Sequence, residues 1–294
     1  MKVTFLSSLD LEDQIKNYGD CILLDDGNKL VVYDCGSDEL ANKVIQYMDI
    51  NGYEKADIIL SHNDNDHYKG INYLRDNGKI NSVTTLLLYK YADDILEILD
   101  DDRRTKAGVI RKTKEDFDNI ASLSGCNLKD ALSDDCYISD SIRIVGPDKE
   151  FTLNAVAKQI NEAEGDTLNS ETITNAISLQ VEVIFGNYKL LLTGDASVSS
   201  FDDKIKDYDL IQIPHHGKKE HAEKIFEITK SNPKVRYYIS DNTGDSIGGS
   251  DKLKELDLTG LSIHNTKHDG EIVLNSETIE RISRGCLGIW DIFI

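Results

Sequence analysis

No stretch of this sequence approaches the roughly 20 consecutive apolar residues that a membrane-spanning helix needs. The opening MKVTFLSSLDLEDQ carries too short an apolar run for a secretory signal, and acids follow at once. Both absences point to a soluble, cytoplasmic chain with no membrane partner. Proline is scarce, three in 294 residues, and there is neither a Pro/Gly/Ser-rich linker nor a repeat of solenoid period. One domain over residues 1–294 is the simpler expectation. The five cysteines, Cys21, Cys35, Cys126, Cys136 and Cys286, are odd in number and not closely spaced. That argues against a disulfide framework and a thiolate zinc site, and leaves reduced, partly buried thiols. Positive charge is also short: 33 Lys and Arg against 53 Asp and Glu give a net charge of −20. A field of that sign repels nucleic acid unless a local patch or a partner chain reverses it, and it draws divalent cations weakly and without selectivity.

What is present is globular composition, 39% hydrophobic and 29% charged. KVTFL, CILLDD and KLVVYDCG read as strands, the last two joined by Gly27-Asn28, a hairpin signal. In DELANKVIQYMDING, Leu40, Val44, Ile45 and Met48 fall on one helical stripe that Asn51-Gly52 ends. ADIILS is a short apolar strand. Further on, VTTLLLYKY reads as a strand, DDILEILDD and KEDFDNIASLSG as helices, YISDSIRIVGP as a strand pair and NAVAKQINEAEG as a helix. AISLQVEVIF and YKLLLTGD are strands around a tight Gly186-Asn187 turn, followed by a helix near 198–206. DLIQIPHHG and VRYYIS are strands flanking the helix EHAEKIFEITKSN. DKLKEL is a short helix, and GEIVL and the tail GCLGIWDIFI are strands. Hairpins mixed with interleaved helices predict an α/β chain with sheets packed on each other and helices outside, not a doubly wound parallel sheet.

The final serine of ADIILS opens the run Ser61-His62-Asn63-Asp64-Asn65-Asp66-His67-Tyr68-Lys69-Gly70. Four metal-competent side chains, His62, Asp64, Asp66 and His67, fall within six residues at a strand end, where functional groups are commonly displayed. Imidazole with carboxylate suits borderline and hard divalent metals. A polar turn capping the next helix would account for the Asn and Asp residues but not for two histidines. Leu192-Thr193-Gly194-Asp195 and Ile213-Pro214-His215-His216-Gly217 end two later strands in the same way. Each is weak alone; the weight lies in three strand ends that all finish in ligand-type residues.

This order of motifs resembles the metallo-β-lactamase superfamily, whose main motif is His-x-His-x-Asp-His followed by later His, Asp and His motifs. The form found here, His-x-Asp-x-Asp-His, is similar to that of the hydrolase domain of the competence protein ComEC and its stand-alone relatives. Asn175-Ala176-Ile177-Ser178-Leu179 is similar to that subgroup's Asn-x-x-Ser-Leu segment, and His215-His216-Gly217 to its His-His-Gly. Gly19-Asp20-Cys21 with Tyr33-Asp34-Cys35-Gly36 looks like the opening hairpin, and Thr266-Lys267-His268-Asp269-Gly270-Glu271-Ile272 resembles the late Thr-x-x-Asp-Gly-x-Ile signature. The resemblance implies a four-layer αββα sandwich holding one or two divalent metal ions. One metal position would use Asp66, His67 and one of His215 and His216. The other would use His62, Asp64 and Asn175, with Asp195 bridging the two and Asp34 orienting the ligand loop. Asp66, Asp195 and His216 would carry the chemistry. Asp64 stands where the wider superfamily has His, and carboxylate in place of imidazole shifts preference away from zinc alone. The expected ions are Mn2+ or Zn2+, with Mg2+ or Fe2+ as alternatives. Ser240 to Asp245 lacks the Gly-His-Pro that ComEC-like domains often carry there.

The implied reaction is hydrolysis by a metal-activated water whose pKa falls from 15.7 to near ~7. Whichever of His215 and His216 is not a ligand would protonate the leaving group. Lys218 or Lys219 would contact a phosphate or belong to a solvated turn. A phosphodiesterase or nuclease-type activity on a phosphate-containing substrate, nucleic acid or nucleotide, is the leading expectation. The alternatives are a hydrolase of small esters or lactones and a partner-dependent effector module whose acidity suits a basic protein partner. Arg103 to Lys114 holds six basic residues and no acid. It either tracks a phosphate backbone or forms a solvated helix face balanced by the acids before it. It lies in a stretch, about 90–170, that is long for the subgroup and is expected to be an insertion forming a lid or a docking surface.

Overall fold

The computed structural model describes residues 1–101, 103–134, 136–161, 167–244 and 249–283. The tail GCLGIWDIFI, expected as a strand, and Cys286 lie outside the described residues. β1 (Lys2–Phe5), β2 (Ile22–Asp25) and β3 (Leu30–Tyr33) run antiparallel, and after α1 (Asp38–Asn51) β4 (Ala56–Ile59) joins β3 in parallel. α2 (Asn65–Asp76) leads to β5 (Ile80–Thr85). Then α3 (Ala92–Leu99), α4 (Lys106–Asp116) and α5 (Asp118–Ser122) precede β6 (Leu128–Asp130). A second sheet starts with β7 (Ile142–Gly146), followed by α6 (Lys149–Ile160), the small hairpin β8 (Thr167–Leu168) and β9 (Glu171–Thr172), and the turn α7 (Ile173–Ala176). β10 (Gln180–Phe185), β11 (Tyr188–Leu192), β12 (Leu210–Gln212), the turn α8 (Pro214–Gly217), α9 (Lys219–Thr229), β13 (Arg236–Ile239) and β14 (Ser262–Asn265) continue it. The turn α10 (Thr266–Asp269) leads to β15 (Ile272–Asn275) and α11 (Ser276–Ser283).

Among the described residues the larger sheet runs β15-β1-β2-β3-β4-β5-β6 and the smaller β14-β13-β12-β11-β10-β7. Both sheets have the same plan. Antiparallel strands occupy one side, and parallel strands added by crossovers occupy the other, β3 to β6 and β11 to β14. A parallel strand must be followed by a connection that leaves from its C-terminal end, so β3, β4, β11, β12 and β13 release their loops on the same side of their sheets. That geometry gathers Asp34, the His62–His67 segment, Asp195 and His215-His216.

The two sheets face each other across one buried cluster. Val3, Phe5, Leu23 and Tyr33 of the larger sheet share it with Val181, Val183, Leu190 and Tyr238 of the smaller. Phe5 stacks on Tyr238 at 5.7 Å, and the Tyr33 hydroxyl donates to the Leu179 carbonyl at 2.7 Å. The opposite face of the smaller sheet buries Leu191, Ile211, Tyr237 and Ile239 against Ala222 and Ile225 of α9. On the far face of the larger sheet α1 is set by its own sequence. Ser37 accepts from the Leu40 amide, Leu40, Ala41, Val44 and Met48 point inward, and Gly52 ends the helix in the left-handed region. The layers are therefore helix, sheet, sheet, helix, as expected.

Several local expectations need correction. VTTLLLYKY is a strand only through Thr85, and Leu88–Tyr91 is a 3₁₀ turn. The helix expected near 198–206 is two separate 3₁₀ turns, Val198–Ser200 and Ile205–Asp207, and DKLKEL is also 3₁₀. α4 starts in the basic stretch, where Thr105 caps it. Residues 90–170 supply β6 and β7, an edge strand of each sheet, and their Ile95, Val109, Ile120 and Val156 join the common buried cluster. Several side chains of the basic stretch pair with acids or an aromatic ring. Arg103 meets Asp101, Lys106 meets Asp93, Lys112 meets Asp116, and Lys114 lies over the Tyr89 ring. No helix among the described residues is long and apolar enough to cross a membrane.

Candidate metal centre

Asp34 follows β3 in the left-handed region, φ 59°, a conformation Asp tolerates better than most residues. This bend turns its fully buried carboxylate toward the loop after β4. There it accepts from the Ser61 amide at 2.7 Å, the Ser61 hydroxyl at 2.7 Å and His67 Nδ1 at 2.8 Å. The Ser61 hydroxyl donates to Asp34, so it is left to accept from His62 Nδ1, 2.9 Å away. Asp20, buried beside β2, plays the same part for His216, whose Nδ1 lies 2.9 Å from it. Each of these three rings is thus held by Nδ1, which leaves Nε2 as the nitrogen with a free lone pair.

The freed nitrogens converge. His67 Nε2 lies 3.3 Å from Asp195 Oδ1, and His216 Nε2 lies 3.3 Å from Asp66 Oδ2. His62 Nε2 lies 3.7 Å from Asp64 Oδ2 and 4.0 Å from Asp195 Oδ2, and His215 Nε2 is 3.7 Å from that same Asp195 oxygen. Asp195 therefore stands between two groups: Asp66, His67 and His216 on one side, His62, Asp64 and His215 on the other. The two adjacent histidines part company because both are left-handed, φ 55° at His215 and 53° at His216. Strain of that kind in non-glycine residues concentrates where function requires it.

Glycine makes the approach of the loops possible. A Cβ on Gly19 would sit 1.8 Å from the Asp66 carbonyl oxygen, and one on Gly36 would sit 2.1 Å from it. The same carbonyl accepts from the Asp20 amide at 2.9 Å, so the opening hairpin is locked onto the ligand loop. Asn17 donates to Asp66 at 3.1 Å from the same side. Asp64 occupies the N-cap of α2 but makes no capping hydrogen bond. Its carboxylate faces His62 instead, which a mere capping turn does not explain.

The donor set fits a divalent cation. His62 Nε2, His67 Nε2 and Asp195 Oδ1 are buried without a hydrogen-bond partner, a cost of about 1–3 kcal/mol each that a ligated ion would remove. His67 Nε2 and Asp195 Oδ1 face each other without the geometry of a hydrogen bond, as two ligands of one ion would. The electrostatics agree. Burial pushes the His67 imidazole down, but the Asp195 and Asp34 carboxylates raise it well above its ordinary value. Burial opposes His216 as well, and Asp20 and Asp195 outweigh it. Burial pushes the Asp195 carboxyl up, yet the His215, His67 and His216 charges hold it well below the carboxylate range. The carboxylates thus demand positive charge at the centre.

Three expected residues are engaged by other groups. Asn175 Oδ1 accepts from the Thr172 hydroxyl at 2.6 Å, and none of its described bonds reaches His62 or Asp64. Lys218 pairs with Glu171, and Lys219, the first residue of α9, with Glu255. Ser240 to Gly244 is a scaffold: the Ser240 carbonyl lies 3.2 Å from His216 Nδ1, and Asn242 donates to the Leu6 and Gly19 carbonyls. Asp20 went unassigned in the sequence because its role depends on a residue 196 positions away. Its place in the opening Gly-Asp was the available signal.

A sandwich of two sheets with paired histidine and carboxylate groups at the ends of its parallel strands defines a metal-binding hydrolase fold. The family model of the Metallo-beta-lactamase superfamily matches residues 16–240, and the chain belongs to that superfamily. Among solved structures it is similar to the metallo-beta-lactamase fold protein YhfI from Bacillus subtilis, 13% identical over 93% of this chain and 99% of that one, with a TM-score of 0.53. Looser likenesses are to Igni18, a metallo hydrolase from the archaeon Ignicoccus hospitalis (8% identity, 94% and 99% coverage, TM-score 0.47) and to human tRNase Z, short form (11%, 94% and 99%, TM-score 0.45). No curated protein matches the chain.

Proposed function

We propose that this chain is a metal-dependent phosphodiesterase of the ComEC-like type. The observation that carries the reading is the convergence of four histidine Nε2 atoms and the Asp64 and Asp66 carboxylates around Asp195. In this reading Asp66, His67, His216 and Asp195 hold one ion, and His62, Asp64 and Asp195 hold a second. Bound there, a divalent ion would supply an activated water and offset charge on the reacting group. The chain's own residues do the rest. Asp20, Asp34 and Ser61 fix the three imidazoles as Nε2 ligands. His216, held at Nδ1 by Asp20 with Nε2 facing Asp66, is assigned the ligand role rather than the proton donor's. His215, with 28% of its side chain exposed and Nδ1 held by Glu171, would as the imidazolium donate its Nε2 proton to the leaving group. Carboxylate at Asp64 favours Mn2+ over Zn2+ as the second ion. The phosphodiester preference rests on the His-x-Asp-x-Asp-His and His-His-Gly resemblance.

The test is hydrolysis of a generic phosphodiester in manganese, with ester and lactone substrates run beside it. The wild type should turn over the phosphodiester, and the Asp66→Ala/His67→Ala double variant should lose both bound metal and rate. Equal rates for the two proteins would remove the site assignment. Turnover of esters alone would move the substrate class.

A further inference from the structure

One buried carboxylate beside the centre belongs to none of the motifs. Glu171, in β9, is 3% exposed and accepts from His215 Nδ1 at 2.8 Å through Oε2. Its other oxygen accepts from His221 Nε2 at 2.8 Å and from the Lys218 ammonium. His221 lies in the first turn of α9, Lys218 caps that helix, and the Lys218 amide donates to the His215 carbonyl at 3.0 Å. Glu171 therefore ties the strained His215 to α9. The grouping of Glu171, His215 and His221 has the composition of a small cation site. The Lys218 ammonium on the same carboxylate oxygen already supplies the positive charge there, so the arrangement is a hydrogen-bonded clamp.

We propose that Glu171 is a positioning residue for His215, holding its Nδ1 so that Nε2 faces Asp195 and the reacting group. The position Asp34 takes for His67 and Asp20 takes for His216, Glu171 takes for the histidine that is more open to substrate. His221 and Lys218 keep the carboxylate from turning away. The kinetic consequence rests on the phosphodiesterase reading, but the placement of the ring does not.

The test uses full-length, metal-loaded protein with Glu171→Gln and, as a milder change that leaves the carboxylate in place, His221→Phe. Long-range 1H–15N NMR on the protein loaded with diamagnetic Zn2+ reads the His215 ring, metal content is measured on the same samples, and kcat and KM are measured on a phosphodiester in manganese. Glu171→Gln should shift the His215 Nδ1 and Nε2 signals from their wild-type positions and lower kcat about 10- to 100-fold, with KM and metal content unchanged. His221→Phe should shift the same signals in the same direction by less. Unaltered His215 signals in both variants would overturn the inference, as would a loss of kcat that merely follows lost metal. If the wild type shows no phosphodiester turnover, the proposed function fails, while the ring signals still decide the role of Glu171. If Glu171→Gln does not fold, His221→Phe decides alone: shifted His215 signals support the clamp and unaltered ones overturn it.

Discussion

A histidine becomes a metal ligand or a proton donor only when one of its nitrogens is committed elsewhere. Asp34, Asp20 and Ser61 make that commitment here, each from a different loop, and each is buried. Backbone clearance matters as much as ligand chemistry at this scale. Gly19 combines φ +73° with a Cβ position 1.8 Å from the Asp66 carbonyl oxygen. Gly19→Ala must push the opening hairpin off the ligand loop. We expect it to destabilise the fold by about 2–4 kcal/mol, the cost of overpacking plus a left-handed alanine, and to lower metal affinity. Denaturant unfolding and metal titration of the variant would check this, and a change under about 1 kcal/mol, no more than the left-handed backbone penalty alone, would contradict it.

At the scale of elements, the site depends on loops held by their own polar groups. The loop after β13 is organised by Asp241, which is fully buried and accepts from the Thr243 hydroxyl at 2.7 Å, the Thr243 amide at 3.1 Å and the Ser250 amide at 3.0 Å. Burial pushes the Asp241 carboxyl up, but these hydrogen bonds outweigh it and hold it below the usual range. A lowered folded pKa contributes stability that is present above the unfolded value, about 3.9, and is lost as pH falls through the folded value. Asp241→Asn should therefore cost about 1–3 kcal/mol at neutral pH, and its difference from wild type should shrink below about pH 4. Thermal melts of both proteins across that range test the sign. A difference that widened in acid would refute it.

For the whole molecule, the two sheets repeat one plan and their parallel halves deliver the converging histidines and carboxylates. A native-state ion should then stabilise the assembled sandwich and not its parts. Free metal at 100 times its dissociation constant adds about 2.7 kcal/mol, a rise in Tm of several degrees. The net charge of −20 collects divalent ions without selectivity, so the comparison must include the Asp66→Ala/His67→Ala protein. Manganese should raise the Tm of the wild type and leave that variant's nearly unchanged. Equal shifts in both would place the binding on the general acidic surface.

The motif residues, the hairpins at Gly27 and Gly186, the α1 stripe and the two-sheet class were all legible in the sequence, because each is written in local periodicity or in a turn of fixed length. Local pattern also misled where tertiary contacts overrode it, as in the Leu88–Tyr91 turn after β5 and the broken segment at 198–207. Which histidine joins which group could not be read, since His215 and His216 are adjacent in the chain and diverge only through their left-handed backbone. Nor could Asp20 or Glu171 be assigned, because each meets its histidine across 196 and 44 residues. The sequence by itself determined the set of ligand-type groups and the strand ends that carry them. Only the tertiary structure decided which nitrogen of each ring is tied down and which is free, because that depends on carboxylates from distant loops becoming buried against it.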